Sequence, residues 1–265
     1  MDGFTKSRML DIVRQQLAID MNCKAEDFLN DGIVFSESRL NEGRRTFERQ
    51  AIYLEIATMG KGVVISVDQP LLENVEKILY KKTREDIFAL PFVYGHSLYY
   101  IPEEKVIRKI TCPEGFSIHI KEGTDVHELY QFPGFQNAIS YDPDYPRPDV
   151  LVIYAMNGKT IAAMAGASAD CKTMWQIGID VLPQFRNIGL ASFLVRELAI
   201  MILERGVVPY YGVASSNIPS QSVAYRSGLA PTWMCSYKNI FDGKSPYDDL
   251  LRAVINQINT NGSRN

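Results

Sequence analysis

Histidine is scarce in this 265-residue chain: only His96, His119 and His127 occur, and none stands at metal-ligand spacing from a cysteine or another histidine. The four cysteines, Cys23, Cys112, Cys171 and Cys235, lie far apart with no CxxC pair. That spacing argues against a zinc site and a disulfide framework, so reduced, partly buried thiols are expected. No apolar run is long enough to cross a bilayer, and the opening MDGFTKSRMLDIV carries acids and lacks an apolar signal-peptide core. A cytoplasmic protein with no membrane partner is expected. A large excess of one charge is missing too: 28 Lys and Arg stand against 31 Asp and Glu, a net charge of -3, and the basic residues are scattered. This lacks the electrostatic footprint of a nucleic-acid binder. No Ser-His-Asp or Cys-His context can be argued. The glycines of MGKGVV (Met59 to Val64) read as turn residues, and GKS (Gly243 to Ser245) has no glycine upstream at phosphate-loop distance.

What is present is an ordinary folded composition, 46% hydrophobic and 22% charged, long enough for one large domain or two modest ones. The first hundred residues read as mixed α/β. RMLDIVRQQLAIDM has apolar residues at helical spacing, AIYLEIATMGKGVVISVD reads as two strands around Gly60 and Gly62, and a single helix is predicted over QPLLENVEKILYKKTREDIFAL. A turn-rich, polar stretch then places a loose boundary near residue 105, dividing the chain into 1–105 and 106–265. Beyond it come a strand at FSIHIKEG, a short helical region from Asp125 to Tyr130 and the proline-rich YDPDYPRPD. Three strands follow, the first two joined at Asn157-Gly158, a strong hairpin signal. A long apolar helix, a short strand, a helix opening near Asn217 and a last strand at PTWMCSYKNIF complete the pattern.

The junction DVLPQFRNIGLASFLV, Asp180 to Val195, is where chemistry is expected. A strand that stops at Pro183 and hands over to a helix leaves the first-turn amides without intrahelical acceptors, facing outward with the positive end of the dipole. Such an end binds anions. Gly189 lets a ligand approach the backbone, Ala191 is nearly as small, and Arg186 adds charge beside a phosphate.

Arg186, Asn187, Ile188, Gly189, Leu190 and Ala191, preceded by Val-Leu-Pro, resemble the pyrophosphate loop of the GNAT superfamily of N-acetyltransferases. Downstream, SNIPSQSVAYRSGLAPTW resembles that family's second signature, an Asn (Asn217) opening a helix that ends at Gly228-Leu229. The resemblance covers about Phe116 to Tyr237. It implies a GNAT fold of class α/β (α+β), a mixed, mostly antiparallel sheet with flanking helices, preceded by an N-terminal α/β extension; a third reading takes the strand-strand-helix segment Tyr53 to Leu90 as a degenerate half-copy of the same fold. It implies acetyl-CoA as cosubstrate and no metal, the diphosphate on the amides of Asn187 to Ala191, the pantetheine beside Ile179 to Val181, and Asn217 against the cofactor's arm. The acceptor implied is a small-molecule or peptide amine of unassigned identity, acetylated by direct attack; a non-catalytic acetyl-CoA-binding or regulatory protein is the alternative. The family commonly places a Tyr acid seven residues after the Asn, but here that position is Ala224, and Tyr225 follows it. The catalytic acid is therefore unassigned, with Tyr225, Ser220 and Ser222 as candidates; Asp180 is expected to pack or to stabilise the hairpin. No signature fixes the acceptor or the oligomeric state.

Overall fold

The computed structural model describes residues 4–47, 53–91, 93–103 and 111–239. The expected boundary near residue 105 and the GKS of 243–245 fall outside the described residues. Two compact units are formed by interleaved segments: Met1–Asp20, Leu40–Phe47 and Leu98–Trp233 make the first, and Met21–Arg39, Glu48–Ser97 and Met234–Asn265 the second.

In the first unit, β5 (Ser117–Glu122), β6 (Asp149–Asn157), β7 (Thr160–Ser168) and β8 (Met174–Val181) form an antiparallel meander. The predicted hairpin is there, with Gly158 at φ +59°, a value the tight turn requires. Strand β9 (Val208–Ala214) runs parallel to β8, because the chain between them crosses over as helix α4 (Leu190–Glu204). Next to β9 come the parts of β4 (Val93–Pro102) and β10 (Leu229–Asn239) that belong to this unit. The short helical region predicted at 125–130 is a 3-10 stretch over Gly123–Gln131. Helix α4 is apolar nearly all round, and nine of its side chains are buried. Leu194, Leu198 and Ile202 share a cluster with Ile177 of β8 and Tyr211 and Val213 of β9, and Trp175, Ile179 and Val181 pack against it. Alternation in β8 therefore turns its odd residues toward α4 and its even residues away. Each buried leucine contributes roughly 1.5–3 kcal/mol, which holds the start of α4 rigidly over the sheet.

The second unit is built on β1 (Ile33–Glu37), β3 (Val63–Val67) and β2 (Leu54–Thr58), in the order β1-β3-β2, followed by the part of β10 after Met234. β1 is parallel to β3, while β2 and β3 form the expected antiparallel hairpin. The single helix predicted over QPLLENVEKILYKKTREDIFAL is two: α2 (Gln69–Leu79) and α3 (Arg84–Phe88). Lys81 takes φ +73°, which no helix tolerates. Thr83 then accepts from the Asp86 amide and opens the second helix with a capping box.

The mixed, mostly antiparallel sheet with flanking helices is thus the observed α/β architecture. The first unit follows the strand, helix, meander, helix, strand, helix, strand order, with α5 (Ile218–Arg226) before β10.

Candidate active site

Strands β8 and β9 pair only from Met174↔Val208 to Gln176↔Tyr210. Beyond that point they part, while the other edge of β8 stays paired with β7 as far as Val181. One edge of residues 177–181 is left without a β9 partner. At the end of β8 the Leu182 amide still donates to Ala162 O at 2.9 Å, and a 3-10 turn over Pro183–Phe185 redirects the chain.

The loop that follows holds two left-handed residues, Asn187 at φ +66° and Gly189 at φ +87°. Left-handed residues curl the backbone into the concave form in which successive amides gather round an anion. Gly189 is the N-cap of α4, and a Cβ built on it would meet nothing within 4 Å. Its glycine is demanded by the backbone angle, and the space in front of it is open. The first helical bond runs from Phe193 N to Gly189 O at 3.1 Å, so the amides of Leu190, Ala191 and Ser192 have no intrahelical acceptor. No acidic residue sits in the first turn and no side chain caps it. Arg186 Nε donates to Val181 O at 3.0 Å, which fixes the guanidinium between strand end and loop. The result is a positive, unscreened helix start.

A cavity of ≈ 510 Å³ lies here. Of the residues the sequence singled out, Ile179, Val181, Arg186, Asn187, Gly189, Leu190, Ala191 and Asn217 all line it. Ile188 is outside the lining and half exposed, and Tyr225 is outside it and 79% exposed. Asn217 caps α5, its side chain accepting from the Ser220 amide at 3.2 Å. Ser220 and Ser222 both line the cavity, the latter with its hydroxyl turned back onto Ile218 O at 3.0 Å. Asp180 has its carboxylate filled by Asn137 N (2.7 Å), Asn137 Nδ2 (2.6 Å) and Ala138 N (3.1 Å), so it braces the 137–138 segment.

Sequence reasoning missed Tyr211. It follows the last β8–β9 pair, lines the cavity, and places its hydroxyl 2.7 Å from Ser220 Oγ. Burial holds its phenol above the ordinary value, against a lowering contribution from the Ser220 hydrogen bond. The available signal was the Tyr-Tyr pair of VPYYGVA: in a strand, consecutive side chains face opposite ways, so one of the two must face α4.

Among the described residues no three His, Cys, Asp or Glu side chains are grouped to hold a metal, and no helix is long and apolar enough to cross a membrane. The diphosphate and pantetheine of acetyl-CoA need, respectively, unpaired amides at a small-residue loop and a free strand edge leading away from it. The loop after Pro183 and the parted edge of β8 have these properties.

Residues 155–234 match the family described as FR47-like protein. No curated protein matches the chain. Among solved structures, the chain is similar to a putative GNAT-family acetyltransferase from Novosphingobium aromaticivorans (19% identity, 54% of this chain and 63% of that chain, TM-score 0.42). It is similar to a GCN5-related N-acetyltransferase-like protein from Streptococcus suis (16% identity, 68% and 72%, TM-score 0.40). A GNAT-family acetyltransferase from Colwellia psychrerythraea is 11% identical over 90% of this chain and 75% of its own (TM-score 0.42). The chain spans less than two thirds of the length of the Novosphingobium protein. The segment that carries the loop, α4, β9 and α5 lies within the FR47-like match.

Proposed function

We propose that this protein is an acetyl-CoA-dependent N-acetyltransferase, acting from about residue 106 onward, with the preceding residues contributing to the acceptor side. The observation that carries the reading is the open start of α4, with Gly189 left-handed and no acid in its first turn, at the mouth of the gap between β8 and β9. In this reading the amides from Asn187 to Ala191, with Arg186 beside them, hold the diphosphate. The unpaired edge of Ile179 to Val181 aligns the pantetheine, and Asn217 borders its arm. Ile188 contributes its amide only, since its side chain points elsewhere than the cavity lining. Four cysteines set far apart with no CxxC pair fit a reducing, cytoplasmic setting.

Bound acetyl-CoA supplies an acyl group activated as a thioester; the neutral amine nitrogen forms the new bond to carbon and gives up one proton to water as the carbon–sulfur bond breaks. Tyr211 holds the proton the departing sulfur needs, and Ser220 Oγ, 2.7 Å away, stands ready to return one to it. Because burial raises the Tyr211 phenol, the donor stays protonated past the ordinary tyrosine value. Turnover that depends on it is present below that raised value and is lost as pH rises through it. Tyr211→Phe lowers kcat by roughly a hundredfold, the scale of one general acid, and removes the alkaline limb of the pH profile.

The test is a calorimetric titration of acetyl-CoA into the wild type and an Arg186→Glu, Gly189→Trp double variant. Binding to the first and not the second supports the reading; no binding at millimolar cosubstrate sinks it. A second reading, an acetyl-CoA-binding regulatory protein without turnover, is favoured by Ala224, fully buried where the family places its phenol. Turnover with any primary amine removes it.

A further inference from the structure

On the sheet face turned away from α4, Asp149, Ser168, Gln176 and Tyr210 pair in turn across β6, β7, β8 and β9. They make one polar row, at the level where β8 and β9 stop pairing. Polar side chains in the middle of a sheet face cost stability unless their bonds are filled, and most of these are. Ser168 Oγ donates to Asp170 Oδ1 at 2.7 Å, the Tyr210 hydroxyl donates to Asp170 Oδ2, and Gln176 Oε1 accepts from Tyr210 at 3.3 Å.

Two groups in this neighbourhood keep capacity to spare. Asp149 takes three donors, the Tyr130 hydroxyl (2.8 Å), the Ser140 amide (2.7 Å) and Ser140 Oγ (2.8 Å), all on Oδ2. Oδ1 receives none among the described residues. Arg147 stacks its guanidinium over Phe47 at 5.0 Å and Tyr145 at 5.4 Å. Its Nη1 donates to Gln176 Oε1 at 3.1 Å and reaches Asp170 only at 3.4 Å, and its Nη2 donates to the Tyr145 hydroxyl at 3.1 Å. Two aromatic faces thus fix the plane of the guanidinium and leave N–H edges unspent.

Arg147 and Asp149 line the same cavity, ≈ 290 Å³ in volume, whose floor is Gly166 and Gly178. These glycines lie directly opposite one another, and a Cβ on either would run into the 137–138 backbone, at 1.9 Å from Ala138 O and 1.7 Å from Asn137 O. The two glycines let the 137–138 backbone lie directly on the sheet at the edge of the cavity. A second guanidinium, Arg45, only 4% exposed, packs over the same Phe47 ring and over Tyr210; its Nε donates to Asp20 Oδ2 at 2.5 Å, and among the described residues its Nη1 has no acceptor.

We propose that this cavity seats the acceptor, and that the acceptor is a small amine that also carries a carboxylate, an amino acid or a molecule of that kind. Its carboxylate lies on Arg147 and its amino group on Asp149 Oδ1, in the row that leads across β7 and β8 to the parting of β8 and β9. A cation with unspent N–H groups and an anion with an unfilled oxygen, two residues apart in one cavity, match a zwitterion. Gln176 is the bridge, since it pairs with Tyr210 at the parting and also holds Arg147. The proposal rests on the reading of the neighbouring cleft as the acetyl-CoA site.

The experiment uses wild-type protein saturated with coenzyme A, which binds but cannot react. Glycine, glutamate, lysine and phenylalanine are titrated, each beside its α-amide, and the same pairs are assayed for thiol release from acetyl-CoA. At least one free acid is expected to be preferred over its amide by roughly tenfold to a hundredfold, the scale of a charge-assisted contact. Arg147→Met brings that ratio close to one while coenzyme A still binds, and Arg147→Lys retains part of it. Amides that match or beat every acid in binding and turnover overturn the proposal, as does an Arg147→Met protein with the preference intact. Failure of coenzyme A to bind counts against the cosubstrate reading instead, and the acid-over-amide binding ratio is still measured in its absence.

Discussion

Helices α2 and α4 each follow a strand that lies inside a sheet, but their starts are built differently, and that of α4 lines a cavity. Between β3 and α2 there is a single residue, Asp68, which serves as N-cap, and Pro70 stands in the first turn. The acid brings negative charge to the helix start, its carboxylate also accepting the Tyr53 amide at 2.9 Å, and the proline removes a donor. Between β8 and α4 lie a 3-10 turn and two left-handed residues, the N-cap is glycine, and the first turn holds neither acid nor proline. The crossover from strand to helix is common to both. What makes a candidate anion seat is a loop long enough to curl and a first turn that its own side chains leave alone.

The largest difference should be in stability. Leu194→Ala in the buried face of α4, 0% exposed, should cost about 2–5 kcal/mol in a denaturant titration. Ile78→Ala on α2, 56% exposed, should stay within about 0.5 kcal/mol. Next in size is Gly189→Asp, which gives α4 the acid that α2 has. Acetyl-CoA affinity should fall roughly a hundredfold by calorimetry, with a stability loss of about 1 kcal/mol from the left-handed angle. Asp68→Ala, the reverse exchange, should cost about 1 kcal/mol for the lost bond to Tyr53 and leave coenzyme A binding at one per chain, since Pro70 and the short junction remain. Smallest is Tyr225→Phe: a side chain outside the cavity should leave kcat unchanged, in contrast to Tyr211→Phe.

The loop after β8 was legible because its consequences are local. Glycine at a helix start, an arginine three residues before it and a helix without a polar face each speak through their own backbone. The Asn157-Gly158 turn and the Asn217 cap were legible for the same reason. The row Asp149, Ser168, Gln176 and Tyr210 was not, because only the register of four strands brings it together. Nor was the grouping of Met1–Asp20 and Leu40–Phe47 with Leu98–Trp233, which puts Arg45 against Tyr210. The break between α2 and α3 had a sign in Thr83-Arg84-Glu85-Asp86, a capping pattern that apolar periodicity alone overrides.

The most direct test of the account is a structure of the protein in complex with coenzyme A. The account predicts the diphosphate within hydrogen-bonding distance of the amides at Gly189, Leu190 and Ala191, beside Arg186, with the thiol leading toward the parting of β8 and β9. A diphosphate bound elsewhere, with those amides facing only water or a side chain of the protein, would contradict it.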